Sequence, residues 1–280
     1  MQESQSLSKK KKKNKGIKSK LYLIIGIIVV LLIGLIVLLS FKIINKKDYY
    51  KIDSRIEEVK KQGKINGDYS TAGWLKVQGT DIDMPVIYAK ENLAPFPMEL
   101  EEFAWITIDD AKFHNMMRII GHNLYNLSDQ PKIKSKNFHR LEELMGFVYY
   151  DFAKENKYIQ YTVDGKDYVY KIFAVGFLNE NQYFDPFKDY SEESMKKSID
   201  VYKSNSIYDY KVDVKENDNL ISLSTCTRFF GKNGKTNFYV VGRMIREGEK
   251  IDDYRVSKNN NYKKVEKKLK GDGNNEQDTL

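Results

Sequence analysis

The chain contains one cysteine, Cys226, and three histidines, His114, His122 and His139. Cys226 lies near the end of an apolar run, Leu220-Ile221-Ser222-Leu223-Ser224-Thr225-Cys226-Thr227, and His122 follows another, Ile119-Ile120-Gly121. Each run reads as a strand, so each reactive side chain falls where a strand gives way to a loop, the place where rigid scaffolds hold chemical groups. A thiol needs a nearby base or cation to populate its thiolate, and histidine is the usual partner for such a nucleophile. The two residues stand 104 positions apart, so only the fold can bring them together. On count alone, a lone thiol is better explained as a buried small hydrophobe, and a lone histidine as an ordinary loop residue.

Other titratable residues offer less. His114 follows the polar stretch Asp109-Asp110-Ala111-Lys112-Phe113, and His139 sits beside Arg140 in a short helical segment. Three scattered histidines and one cysteine make no zinc site, and no metal ligand set is expected. Asp109 and Asp110 are adjacent on an extended segment and point to opposite faces, which argues against joint acid/base work, although one of them is a candidate to orient His122. Trp74 and Trp105 read as core or rim packing.

The elements that must position these groups are mostly strands. Trp74-Leu75-Lys76-Val77 and Ile82 to Tyr88 flank a Gln78-Gly79-Thr80-Asp81 turn. Further runs are Trp105 to Ile108, Met117 to Ile120, Tyr158 to Val163, Tyr168 to Val175, Leu220 to Leu223 and Phe238 to Val241, with Asp164-Gly165 as a tight hairpin signal. Two helical pieces interrupt them: a short one over Phe138 to Met145, and Ser191 to Tyr202, where Ser191 is the expected cap. About eight short strands with a few helices imply a mainly β architecture, a closed or nearly closed barrel with helical insertions.

The ends have a different character. Residues 1–20 hold eight lysines and one acid, and Leu21 to Phe41 is a 21-residue run without a charge. A helix of that length spans the roughly 30 Å core of a bilayer. It is longer than a signal-peptide apolar segment, and no small-residue cleavage site follows it. The lysines precede the run, so the expectation is a single-pass protein with residues 1–20 cytoplasmic, leaning on anionic lipid, 21–41 as the transmembrane anchor, and everything after it extracellular. Residues 42–65 form a linker helix with apolar positions three and four apart, and residues 66–248 make the folded domain. Residues 249–280 are polar, rich in lysine and asparagine, and read as a flexible tail in which Tyr262 to Leu269 can form a short helix. The net charge of +8 resides in the two ends, and a nearly neutral body carries no electrostatic footprint for nucleic acid.

At larger scale the sequence resembles the class B sortases. The resemblance runs from about Asn66 to Arg246 through GDYSTAGWLKVQGTDIDMPVIYAKEN, RIIGHNL, NFHRLEEL, the helix SEESMKKSIDVYKSNSIYD, LISLSTCTRFF and FYVVGRMI. It implies an eight-stranded sortase-type β-barrel with helical insertions, preceded by one N-terminal transmembrane helix. It also implies a cell-wall-anchoring cysteine transpeptidase that needs no cofactor. Cys226 would cleave a C-terminal sorting motif, LPXTG-like or NPQTN-like, through a thioester, and His122 would serve as the acid/base. The acyl group would pass to a cell-wall cross-bridge amine, or to a pilin lysine in a pilus-polymerising sortase.

One position departs from the family pattern. The arginine expected at the start of the last catalytic strand is Asn237 here, counting back from Gly242-Arg243. An amide still donates hydrogen bonds but lacks charge and the two-pronged geometry of guanidinium. Arg228 or Lys235 could supply the missing donor, whereas Arg243 lies six residues along the strand, roughly 20 Å away. A weakly active or silent module that binds sorting signals is the alternative that Asn237 suggests.

Overall fold

A computed structural model describes residues 22, 24–32, 54–64, 69–89, 98–100, 102–106, 115–138, 141–179, 190–231 and 236–271. The chain divides into two units, Met1–Ile52 and Asp53–Leu280. In the first unit residues 24–32 are helical with exposed side chains. Among the described residues, no helix is long and apolar enough to cross a membrane. The expected cytoplasmic segment 1–20 and most of the expected anchor 21–41 lie outside the described residues, as do Asp109, Asp110, His114, His139 and Lys235.

The second unit opens with helix α1, residues 54–61, whose Ile56 and Val59 are buried three positions apart, the stripe expected of the linker helix. Ten strands follow: β1 (Tyr69–Val77), β2 (Asp83–Ala89), β3 (Ala104–Ile106), β4 (Met116–Gly121), β5 (Tyr158–Val163), β6 (Lys166–Asn179), β7 (Tyr208–Tyr210), β8 (Leu220–Thr227), β9 (Thr236–Met244) and β10 (Val256–Lys258). Eight of them close into a barrel in the order β1-β2-β3-β4-β8-β9-β6-β5, with β5 returning to β1. Closure leaves no free sheet edge among these strands. All eight barrel strands coincide with runs legible by their apolar content. The Asp164-Gly165 turn joins β5 to β6 with φ of 51° and 71°, the left-handed pair that a two-residue hairpin requires.

Helices fill the barrel's flanks. A 3-10 segment, Leu141–Val148, is buried along its whole length, and α2 (Tyr150–Glu155) follows it. The buried carboxylates of this segment are spent on backbone donors: Glu142 accepts from the Leu124 N–H and Glu143 from the Asp81 N–H, at 3.2 and 2.7 Å. Burial pushes the Glu143 carboxyl above its ordinary range. Helix α3 (Glu192–Asn205) begins at Ser191, whose hydroxyl accepts from the Ser194 N–H, and packs Met195, Ile199 and Tyr202 inward.

The expectation of a flexible polar tail from residue 249 is corrected for residues 249–271. Strand β10 pairs with β7, and α4 (Tyr262–Leu269) buries Tyr262 and Val265. Three acidic side chains at its start pair with buried cations. Lys171, only 7% exposed, sits 2.8 Å from Glu249 and 2.6 Å from Asp252, and Lys157 pairs with Asp253. The Tyr254 hydroxyl donates to the carbonyls of Lys157 and Ile172. Arg243, buried in β9, forms a two-pronged pair with Glu249, whose second contact is 2.8 Å. Arg243 is thus committed to the fold, at the far end of β8 from Cys226, where it pairs with Leu220.

Donation from Arg243 holds the Glu249 carboxyl far below its ordinary 4.5, with Lys171 and the Arg246 N–H assisting against the opposing effect of burial. Because the folded form binds its proton more weakly than the unfolded form, this pair stabilises fully above about pH 4.5 and is lost as the pH falls below it. Glu249→Gln is expected to lower stability at neutral pH by roughly 2–3 kcal/mol, below the usual cost of breaking a buried pair because both cations keep other partners. It should also flatten the decline of stability below pH 4.5. Chemical denaturation at pH 7 and pH 3 checks both.

Candidate functional site

Strand β8 runs between β4 and β9, so its side chains are walled on both sides: the burial pattern over Leu220–Thr227 leaves Cys226 as the one exposed position. The pairing with β4 is parallel and ends at Gly121 opposite Thr225. His122 is the first residue beyond β4, and Cys226 the residue after Thr225 on β8, so each follows one partner of the last pair of this ladder. On its other flank β8 pairs antiparallel with β9, and Cys226 is directly opposite Asn237. Residues so opposed project to the same face with Cβ atoms ~4.5–5.5 Å apart. The fold thus brings His122, Cys226 and Asn237 to one end of three adjacent strands.

Arg228 is placed differently. Strand β8 stops at Thr227, and Arg228 heads a turn in which its carbonyl accepts from the Gly231 N–H at 3.0 Å. Its side chain is exposed. The turn is anchored from beneath by an aromatic cluster in which Phe177 meets Phe229, Phe230 and Phe238 at ring distances of 5.3, 4.8 and 5.0 Å. The Thr227 hydroxyl accepts from the Phe229 N–H, which fixes the chain's departure from the strand.

Two side-chain hydrogen bonds tie the histidine segment to the cysteine segment. The buried Thr225 hydroxyl donates to the Gly121 carbonyl at 2.7 Å. The Asn123 amide donates to the Cys226 carbonyl at 3.0 Å and to the Asn126 carbonyl, while its oxygen accepts from the Asn126 N–H. Asn126 in turn donates to the carbonyls of Lys132 and Glu142. Gly121 allows the close approach of this segment to its support: a Cβ there would come within 2.7 Å of Leu141. The His122 ring lies 5.0 Å from that of Trp105, tilted by 51°.

The sequence singles out Cys226, His122 and Asn237, which the structure places at the same end of β4, β8 and β9, but gives no prominence to Asn123, Asn126 or Thr225, which bond around them. The only signal for Asn123 is its position directly after a strand-terminal histidine, where an asparagine side chain tends to bond backbone. Trp105 was read as packing, and its packing partner is the imidazole itself.

A Sortase domain family model matches residues 75–245 of the chain. Sortase B of Staphylococcus aureus (strain NCTC 8325 / PS 47) is 22% identical over 248 residues, covering 79% of this chain and 96% of that protein. Among solved structures, the X-ray structure of Clostridium perfringens sortase B aligns with a TM-score of 0.51 at 22% identity, covering 62% of this chain and 93% of that one. A mutant form of the same sortase aligns with a TM-score of 0.50 at 22% identity, over 72% and 98% of the two chains. The closed eight-stranded barrel with its helices is the fold of these sortase B structures, and the family match extends from β1 through β9. The chain belongs to the sortase family of cysteine transpeptidases.

Proposed function

We propose that this protein is a class B sortase that cleaves a C-terminal sorting motif and transfers the acyl group of the fragment on the amino side of the cut to an amine of the cell wall. The observation that supports it best is the exposure of Cys226 on an otherwise buried strand, beside the strand that leads into His122. In this reading the Cys226 thiolate adds to the carbonyl carbon of the scissile peptide bond. The C–N bond then breaks, and protonated His122 gives its proton to the departing amine. The thioester left on Cys226 is attacked by an incoming amine, which loses its proton to His122 as the C–S bond breaks, restoring the thiolate and the protonated imidazole. One difficult amide exchange becomes two easier acyl transfers.

The negative charge that develops on the carbonyl oxygen needs a donor. Asn237, opposite Cys226 on β9, is the residue we assign to that place. Its neutral amide is a weaker donor than a guanidinium, so the enzyme is slow unless Arg228 contributes charge from the turn. The acceptor is an amine of a peptidoglycan cross-bridge, with a pilin lysine as the alternative, and the motif is LPXTG-like or NPQTN-like. The charge-free 21-residue run and the lysines before it support anchoring in the cell membrane with this domain outside. The amide at position 237 favours one second reading, a silent module that binds sorting signals without cleaving them.

Full-length protein in detergent, incubated with LPXTG-like and NPQTN-like peptides, should form an acyl adduct on Cys226 that hydroxylamine or an added amine releases. Intact mass spectrometry checks this. Cys226→Ala should abolish the adduct, and His122→Ala should slow turnover by ~10²–10⁴. Peptide binding without any adduct would establish the silent module instead. Asn237→Arg is expected to raise turnover and Asn237→Ala to lower it, by up to the ~10²-fold worth of one oxyanion donor. An unchanged rate in Asn237→Ala with a loss in Arg228→Ala would move the donor to Arg228.

A further inference from the structure

We infer that Asn123 is a positioning residue for the Cys226 thiol, an inference that rests on Cys226 and His122 being the nucleophile and the acid/base. The β4–β8 ladder ends at the Gly121–Thr225 pair, one residue short of both reactive side chains. Backbone hydrogen bonding between β4 and β8 therefore stops before it can fix His122 against Cys226. The Asn123 amide supplies the missing rung: it is 4% exposed and donates to the Cys226 carbonyl across 103 residues of sequence. Holding that carbonyl fixes the peptide plane after Cys226, and with it the direction in which the side chain leaves the strand.

The same residue carries the histidine. Asn123 is bonded to His122 covalently, and its reciprocal contacts with Asn126 lock the turn that follows. Asn126 is itself held by Lys132 and by the carbonyl of Glu142 in the buried 3-10 segment. One side chain thus couples the backbone of the nucleophile to the backbone of the base, and the rest of its contacts make it stiff. A displacement of about 1 Å between reacting groups costs up to ~10²-fold in rate, so a brace at this point acts on turnover rather than on substrate affinity.

Two variants separate positioning from simple support. Asn123→Ala removes every side-chain contact. Asn123→Asp keeps the shape and the acceptor for the Asn126 N–H, but removes the donor to Cys226. Both should lower kcat for thioester formation by roughly 10–100-fold with KM changed less than about twofold. Both should also move the pH midpoint of Cys226 alkylation by iodoacetamide upward by about half a unit or more, since the thiolate depends on its spacing from the imidazole. Wild-type kcat and an unshifted alkylation profile in both variants would overturn the inference. So would a lowered thermal midpoint with the alkylation profile unmoved, which marks support alone. The alkylation profile uses no peptide, so a wild-type protein that forms no thioester would sink the proposed function while the brace is still judged.

Discussion

The parallel pairing of β4 with β8 is the constraint on which the molecule turns. Parallel neighbours need a long crossover, and here the crossover contains the 3-10 segment, α2, the β5–β6 hairpin, α3 and β7. Because β6 must also meet β9, and β5 must meet β1, everything within the crossover is obliged to wrap the barrel before β8 can enter between β4 and β9. The site is a by-product of that closure. It lies where β8 ends beside β4, and the 104 residues between Gly121 and Thr225 shrink to one strand spacing. Joining such distant segments carries a loop-closure cost of a few kcal/mol, which the buried strands β8 and β6 offset through their apolar faces.

The barrel was legible because each strand is an apolar run bounded by turn residues, and the Asp164-Gly165 hairpin was legible because its left-handed conformation selects those residue types. Strands β7 and β10 were not. Each has three residues, and neither Tyr208-Asp209-Tyr210 nor Val256-Ser257-Lys258 has the length to show a period. The C-terminal stretch was misread for a related reason. Polar composition does not show which charges are exposed and which cover buried cations, and here Glu249, Asp252 and Asp253 meet lysines and an arginine that the sequence places 70 and more residues earlier or six residues back.

The site was legible in part and for identifiable causes. Cys226 and His122 carry chemistry in their residue types, and Asn237 followed from counting along one strand, which the ladder preserves because register is strict in a buried sheet. Asn123 and Thr225 act through single hydrogen bonds to backbone carbonyls more than 100 residues away. Nothing local marks Thr225, and the position of Asn123 after a strand end points only to bonds with nearby backbone, such as those to Asn126.

The late carboxylates have a consequence for biosynthesis. Lys157 and Lys171 are made 96 and 81 residues before Asp253 and Asp252, an interval of roughly 4–20 s at ~5–20 residues per second. Throughout that interval Lys157, just before β5, and Lys171, in β6, lack these counterions, and burying an ammonium group without one is costly. Residues 249–253 thus belong to the folded domain as its counterions, although they are made after every strand of the barrel.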